Sequence, residues 1–150
     1  MGTVKSEEKK DIRLQGRSEI EQWLEGQGEP SFRASQIHDW LWMRSARSFE
    51  EMTNLSKSLR QKLSEEFQFN EITLDRRQNS SDGTIKFRWK LHDGHLVESV
   101  LIPVPREDRY TVCVSSQVGC SLSCSFCATG RMKRERNISG PEIYDQVIMV

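Results

Sequence analysis

The chain has 150 residues, and 22 Lys and Arg balance 22 Asp and Glu, so no net charge marks it as a basic nucleic-acid tail. A content of 35% hydrophobic and 29% charged residues suits a modest buried core beneath a charged surface, within one domain or a tight pair. No apolar run approaches the roughly 18 residues of a membrane span, and MGTVKSEEKKDIRLQG lacks the apolar stretch of a secretory signal; the expectation is a cytoplasmic protein with no membrane partner.

Three short helices are expected first. Ser18 with Glu21 three residues on reads as a capping box ahead of Ile20, Trp23 and Leu24, and Gly26, Gly28 and Pro30 stop that helix. In SFRASQIHDWLWM, Ile37, Trp40 and Leu41 share a helical face, and Leu55, Leu59 and Leu63 recur four apart. Stripes of this kind are ordinarily the core of a small bundle, which puts Trp23, Trp40 and Leu59 inside. From about residue 71 the period becomes two. EITLDRRQ, TIKFRWKL and HLVESVLIP are separated by Asp82-Gly83 and Asp93-Gly94, the pattern of an antiparallel meander.

Pro103 and Pro105 then mark a boundary, and RYTVCVSSQV reads as a buried strand. Ser139 with Glu142 makes a second capping box and opens the apolar helix IYDQVIMV. A strand, a loop and a helix in that order begin a β-α unit. The expected fold is therefore α+β. A helical domain spans residues 1–70, an antiparallel β segment or linker 71–105, and the first β-α unit 106–150. Basic residues are concentrated locally, with six against three acidic over 30–63 and five against one over 76–92. Arg131, Lys133, Arg134 and Arg136 follow, broken only by Glu135. Each patch is either a solvated face or a set of phosphate contacts.

All four cysteines, Cys113, Cys120, Cys124 and Cys127, fall within 15 residues, which makes a site rather than a disulfide scaffold. The spacing of the last three is C-x3-C-x2-C. Three thiolates suit three irons of a 4Fe-4S cubane and leave the fourth iron open to something other than protein. Zinc fits less well, because His38, His92 and His95 lie away from this loop in sequence.

The octapeptide CSLSCSFC, with Phe126 before its last cysteine, resembles the motif of the radical S-adenosylmethionine enzymes. The longer run CVSSQVGCSLSCSFCATG, with VESVLIP upstream and FRASQIHDWLW before that, resembles the RlmN and Cfr group of adenosine methyltransferases over roughly residues 30–150. The resemblance implies a 4Fe-4S cluster on Cys120, Cys124 and Cys127 whose open iron chelates S-adenosylmethionine. It makes Cys113 a catalytic thiol and Glu98 a proton acceptor. Phe126 would pack against the cofactor's adenine or seal the loop. It also makes the helical region an accessory RNA-binding domain and the β-α unit the start of a partial α/β radical-SAM barrel.

The residues themselves support part of this. Along an alternating strand Glu98, Val100 and Ile102 share a face, so Glu98 has apolar neighbours and a partly buried setting that suits a base; the plainer reading is an exposed strand-edge glutamate. Cys113 on its own would as readily fill a core strand. Ser115, Ser116 and Gln117 are polar where a strand prefers apolar residues, which suggests that the strand end opens into a site. Lys133 and Arg134 stand where the family carries a Gly-aromatic pair, a departure in the path of that loop.

The mechanism the resemblance implies uses two molecules of S-adenosylmethionine. One methylates a second cysteine, and the other yields a 5'-deoxyadenosyl radical that abstracts hydrogen from that methyl group. The carbon then joins adenine, and Cys113 frees the product by pairing with the second cysteine. No cysteine remains for the methyl-carrying role, so the chain reads as an amino-terminal fragment. Implied partners are 23S rRNA and tRNA, with an electron donor such as flavodoxin or ferredoxin, and the implied assembly is a monomer. Carbon 2 and carbon 8 of adenine both remain open as targets. So do two other classes, a non-catalytic RNA-binding module and a zinc or electron-transfer module using all four thiols.

Overall fold

A computed structural model describes residues 8–150, in two compact units that divide between Phe69 and Asn70. In the first, β1 (Lys10–Asp11) leads through a 3-10 turn to α1 (Arg17–Gly26), followed by α2 (Arg33–His38), α3 (Lys57–Glu66) and β2 (Phe67–Gln68), which pairs parallel to β1. A π-helical turn, Asp39–Met43, extends α2. Leu24, Ile37, Leu59 and Leu63 are fully buried at the centre, with Leu55 beside them, as the helical spacing requires.

Two local expectations change. Ser18 does not cap α1: Gly16 does, its amide donating to the carboxylate of Glu19, while Glu21 pairs instead with Arg17 at 3.0 Å. Trp23 and Trp40 flank the core rather than fill it. An indole N–H needs a partner, and Trp40 reaches the rim to donate to Asn54 Oδ1 at 2.6 Å, with the Arg44 guanidinium 4.6 Å above its ring.

The second unit is built on a four-stranded antiparallel sheet in simple meander order, β3 (Thr73–Asn79), β4 (Ile85–Lys90), β5 (Leu96–Pro103) and β6 (Tyr110–Cys113). Both Asp-Gly turns form, with Gly83 and Gly94 at φ +85° and +88°. Phe87, Trp89 and Val97 cover one face of the sheet with buried side chains, and Val118 and Ile138 belong to the same core. The short strands β7 (Gln117–Val118) and β8 (Arg136–Asn137) pair antiparallel, and α4 (Gly140–Ile148) follows. Ser139 and Glu142 form the expected capping box.

The antiparallel β segment expected over 71–105 forms, and its sheet runs on past 105: Pro103 on β5 stands opposite Tyr110 on β6, so 71–105 shares a unit with 106–150. Nor is β6 a buried strand. It is the last strand of its sheet, with Tyr110 61% exposed and Cys113 exposed, because among the described residues nothing pairs beyond it. No helix of the described residues is long and apolar enough to cross a membrane.

Candidate functional site

The outer face of the sheet carries the first part of the site. Register places Arg76, Arg88 and Glu98 opposite one another in one row, and Gln78, Lys86, Val100 and Cys113 in the next. Opposed residues of an antiparallel pair point to the same side, so Glu98 and Cys113 share a face one row apart. Glu98 does share this face with Val100 and Ile102, but the face is the outer one, so the partly buried setting expected for it is not formed. Val97 and Ser99 turn inward, while Glu98 is 49% exposed and its Oε1 lies 3.0 Å from Lys86 Nζ. Alternation fixed the pairing of Glu98 with Val100 and Ile102, but which face meets the core is decided by Phe87 and Trp89 on the neighbouring strand.

A cleft of about 390 Å³ opens beside Glu98. It is lined by the polar Lys86, Arg88, Glu98, Ser115 and Gln117, by the apolar Leu96, Val97 and Met132, and by Ala128 and Thr129, which follow Cys127 directly in sequence. Of the three polar residues expected to mark an opening, Ser115 and Gln117 line the pocket and Ser116 does not.

Behind the cleft lies a buried polar network that the sequence did not announce. Ser115 Oγ donates to the Glu98 carbonyl at 2.7 Å and accepts from the Glu98 amide at 3.3 Å, clasping the backbone on both sides. Ser115 is itself held by Gln146 of α4: its amide donates to Gln146 Oε1 and its carbonyl accepts from Nε2, each at 2.9 Å. Ser99 Oγ donates to the same Oε1 at 2.9 Å and accepts from Trp89 Nε1 at 3.0 Å. Gln146 is wholly buried, so every bond it makes replaces water, and leaving one unmade would be costly. A lone glutamine in an apolar helix was the available signal.

The cysteine loop is closed at its base by the β7–β8 ladder and tightened by two glycines. Gly119, at φ +73°, passes so near the chain that a Cβ there would lie 2.1 Å from the Lys133 carbonyl oxygen. At Gly130 a Cβ would lie 2.7 Å from the Cys124 carbonyl oxygen. Cys120 Sγ accepts from the Leu122 amide at 3.4 Å, and the Cys127 thiol is lowered from its ordinary value by the backbone N–H groups of Gly130 and Thr129. Amide donors aimed at sulfur favour the thiolate, the form that binds metal, so the chemistry of this donor set suits an iron-sulfur cluster. The side chains are not drawn together: among the described residues no group of three or more His, Cys, Asp or Glu is gathered to hold a metal ion. All four thiols are free. Phe126 is 91% exposed and covers nothing.

The loop's return is pinned by Arg136. Its Nη atoms fork onto the two carboxylate oxygens of Glu142 at 2.8 Å, and its Nε reaches Asp93 Oδ2 at 2.6 Å. Burial opposes charge on Glu142, but Arg136 and the amide and hydroxyl of Ser139 outweigh it and bring the carboxyl down to about 2, and the same contacts raise Arg136. Arg136 is therefore tied within the fold. Several basic residues of the helical unit are likewise engaged: Arg60 donates to the Glu50 carbonyl and Lys62 to the Gln27 carbonyl.

The chain is similar to known proteins. The chain is similar to a crystal structure of a radical SAM methyltransferase from Sphaerobacter thermophilus, with TM-score 0.76 and 39% identity over 93% of this chain and 41% of that one. Residues 14–69 match the family described as the ribosomal RNA large subunit methyltransferase N-terminal domain. It is also similar to the probable dual-specificity RNA methyltransferase RlmN of Cytophaga hutchinsonii, 54% identical over all of this chain and 41% of that protein. A namesake from Christiangramia forsetii is 53% identical over 95% of this chain and 40% of the relative. The chain belongs to the RlmN family of radical S-adenosylmethionine methyltransferases, and it spans about two fifths of the length of these relatives.

Proposed function

We propose that this chain carries part of the active site of a radical S-adenosylmethionine enzyme that methylates carbon 2 of an adenine in 23S rRNA and in tRNA. The observation that carries the reading is the cleft joining Glu98 to the segment directly after Cys127, with Cys113 on the same sheet face. The two chemistries of this reading, proton removal by Glu98 and sulfur exchange by Cys113, would then fall in adjacent rows of the sheet. Bound by Cys120, Cys124 and Cys127, a 4Fe-4S cluster would supply the electron that splits S-adenosylmethionine.

The chain's own residues do the rest. Glu98, half exposed at the cleft, accepts the proton from the ring carbon that has gained its new substituent, the ring at the same stage giving back the one electron that was supplied to split the cofactor. Ser115 and Gln146 hold its backbone in place, which spares the reaction the cost of ordering it. Cys113 is exposed and free, and its thiolate attacks the sulfur that links the methyl-carrying cysteine to adenine; a disulfide forms, and the carbon-sulfur electron pair passes to the carbon, which takes a proton as methyl. Phe126, next to Cys127 in sequence, would cover the cofactor or seal the loop. The region beyond β6 would begin the α/β barrel, the helical unit would serve as an RNA-binding accessory domain, and an electron donor such as flavodoxin or ferredoxin would meet a monomeric, cytoplasmic enzyme.

The test is anaerobic reconstitution of the full-length protein, followed by incubation with S-adenosylmethionine, reductant, and either a 23S rRNA fragment or a tRNA transcript. Mass spectrometry of nucleosides should give 2-methyladenosine from both RNAs. Formation of 8-methyladenosine would move the target to carbon 8. A fully clustered enzyme giving no methyladenosine would remove the reading.

A further inference from the structure

The function proposed above gives no role to three cations that stand around its proton acceptor. On the outer face of the sheet Arg76 and Arg88 are directly opposed, a like-charge pairing that is unfavourable unless an anion lies between. Arg88 Nε is paired with Asp75 at 2.5 Å, and Lys86 Nζ with Glu98 at 3.0 Å. Arg76, Gln78, Lys86, Arg88 and Glu98 line a hollow of about 30 Å³, room for one water or one oxygen of an anion. It adjoins the larger cleft, with which it shares Lys86, Arg88 and Glu98.

The Lys86–Glu98 pair is held loosely. Its side chains are 44% and 49% exposed, and ion pairs in such settings contribute little because water screens them. An anion bringing several oxygens to two guanidinium groups and an ammonium displaces a single carboxylate from such a contact.

We infer that Arg76, Lys86 and Arg88 form a phosphate site that takes one backbone phosphodiester of the RNA substrate, and that Lys86 leaves Glu98 for it as the RNA docks. Docking and release of the carboxylate are then one event: Glu98 loses its cation when a nucleotide arrives in the cleft. The inference rests on the RNA methyltransferase reading.

The experiment measures binding of a tRNA transcript to the full-length protein across a salt series. Lys86→Gln and Arg76→Gln should each weaken binding severalfold and flatten the log-log salt slope by up to about 0.7–0.9, the value of the single phosphate contact that the three cations share. Lys86→Arg should restore both. Glu98→Gln should have the opposite sign and bind RNA tighter, by up to about fivefold, because Lys86 no longer has a competitor. That gain should vanish when Lys86→Gln is added. A residue acting only through the fold would not tighten binding when its partner is removed. Unchanged affinity and slope in Lys86→Gln and Arg76→Gln, against normal wild-type binding, would overturn the phosphate site alone, and weaker binding by Glu98→Gln would overturn the exchange. A wild-type protein with no salt-dependent RNA binding would bring down the RNA reading together with it.

Discussion

Cys113 and the three cysteines that follow it are chemically alike and differ in setting. Cys113 ends the edge strand β6 on the face that carries Glu98, whereas Cys120, Cys124 and Cys127 sit in the loop closed by Gly119 and Gly130. In the full-length enzyme, Cys113→Ala should keep its iron and its cofactor cleavage yet stall with RNA covalently joined to protein, since no thiolate remains to attack the linking sulfur. Iron analysis and the mobility of labelled RNA on a denaturing gel read both quantities. Lost iron would make Cys113 a ligand, and normal turnover without adduct would remove its assignment. Gly130→Ala separates the loop from the strand. A Cβ must push the Cys124 backbone aside, so this variant should lose most of its bound iron after reconstitution while the sheet's thermal unfolding changes little. Full iron content would show that the loop accommodates the methyl group.

At the scale of elements, α4 holds the site from behind through Glu142 and Gln146. The Glu142 carboxyl falls from 4.5 to about 2 on folding, so the folded state favours its charged form. Its contribution is complete above pH 4.5 and is lost as pH drops from there toward 2, on the order of 3 kcal/mol in total. Wild type and Glu142→Gln should therefore differ in denaturant stability by a constant amount above pH 5 and converge in acid, while a gap that persists to pH 2 would contradict the Arg136 clamp as its source. Gln146→Leu removes the acceptor of the Ser115 amide and of Ser99. It should slow product formation about tenfold or more at saturating RNA, with iron content retained, because Glu98 loses its backbone clasp. Much of this was legible in sequence. The leucine stripe of α3, the two Asp-Gly turns and the Ser139–Glu142 box follow from local chemistry, and local chemistry is what spacing records. The inward turn of Ser99, the clasp of Ser115 by Gln146 and the engagement of Arg136 depend on contacts 31 to 47 residues apart or on a neighbouring strand's choice of face. Nothing in the period of β5 says which side of it Phe87 and Trp89 will cover.

For the molecule as a whole, cysteine number and chain length bear on the same point. The proposed chemistry uses five thiols, three to hold iron, one to carry the methyl group and Cys113 to release it, and the chain has four. It also spans about two fifths of its relatives, and its described residues hold an antiparallel sheet and one following helix rather than the repeated β-α units of a barrel. The two units nevertheless have separate buried cores, the first around Leu24 and Leu59 and the second around Phe87 and Trp89. The isolated 150 residues should therefore fold cooperatively and bind RNA weakly, with a steep loss as salt rises, because that binding rests on phosphate contacts. They should make no methyladenosine under anaerobic, reducing conditions, whether or not iron is loaded. The comparison to run is nucleoside mass spectrometry on this chain beside the full-length enzyme, at matched iron content and with the same RNA. Product from the 150 residues alone would show that a thiol relay using only Cys113 and the loop cysteines suffices, and would overturn the five-thiol scheme.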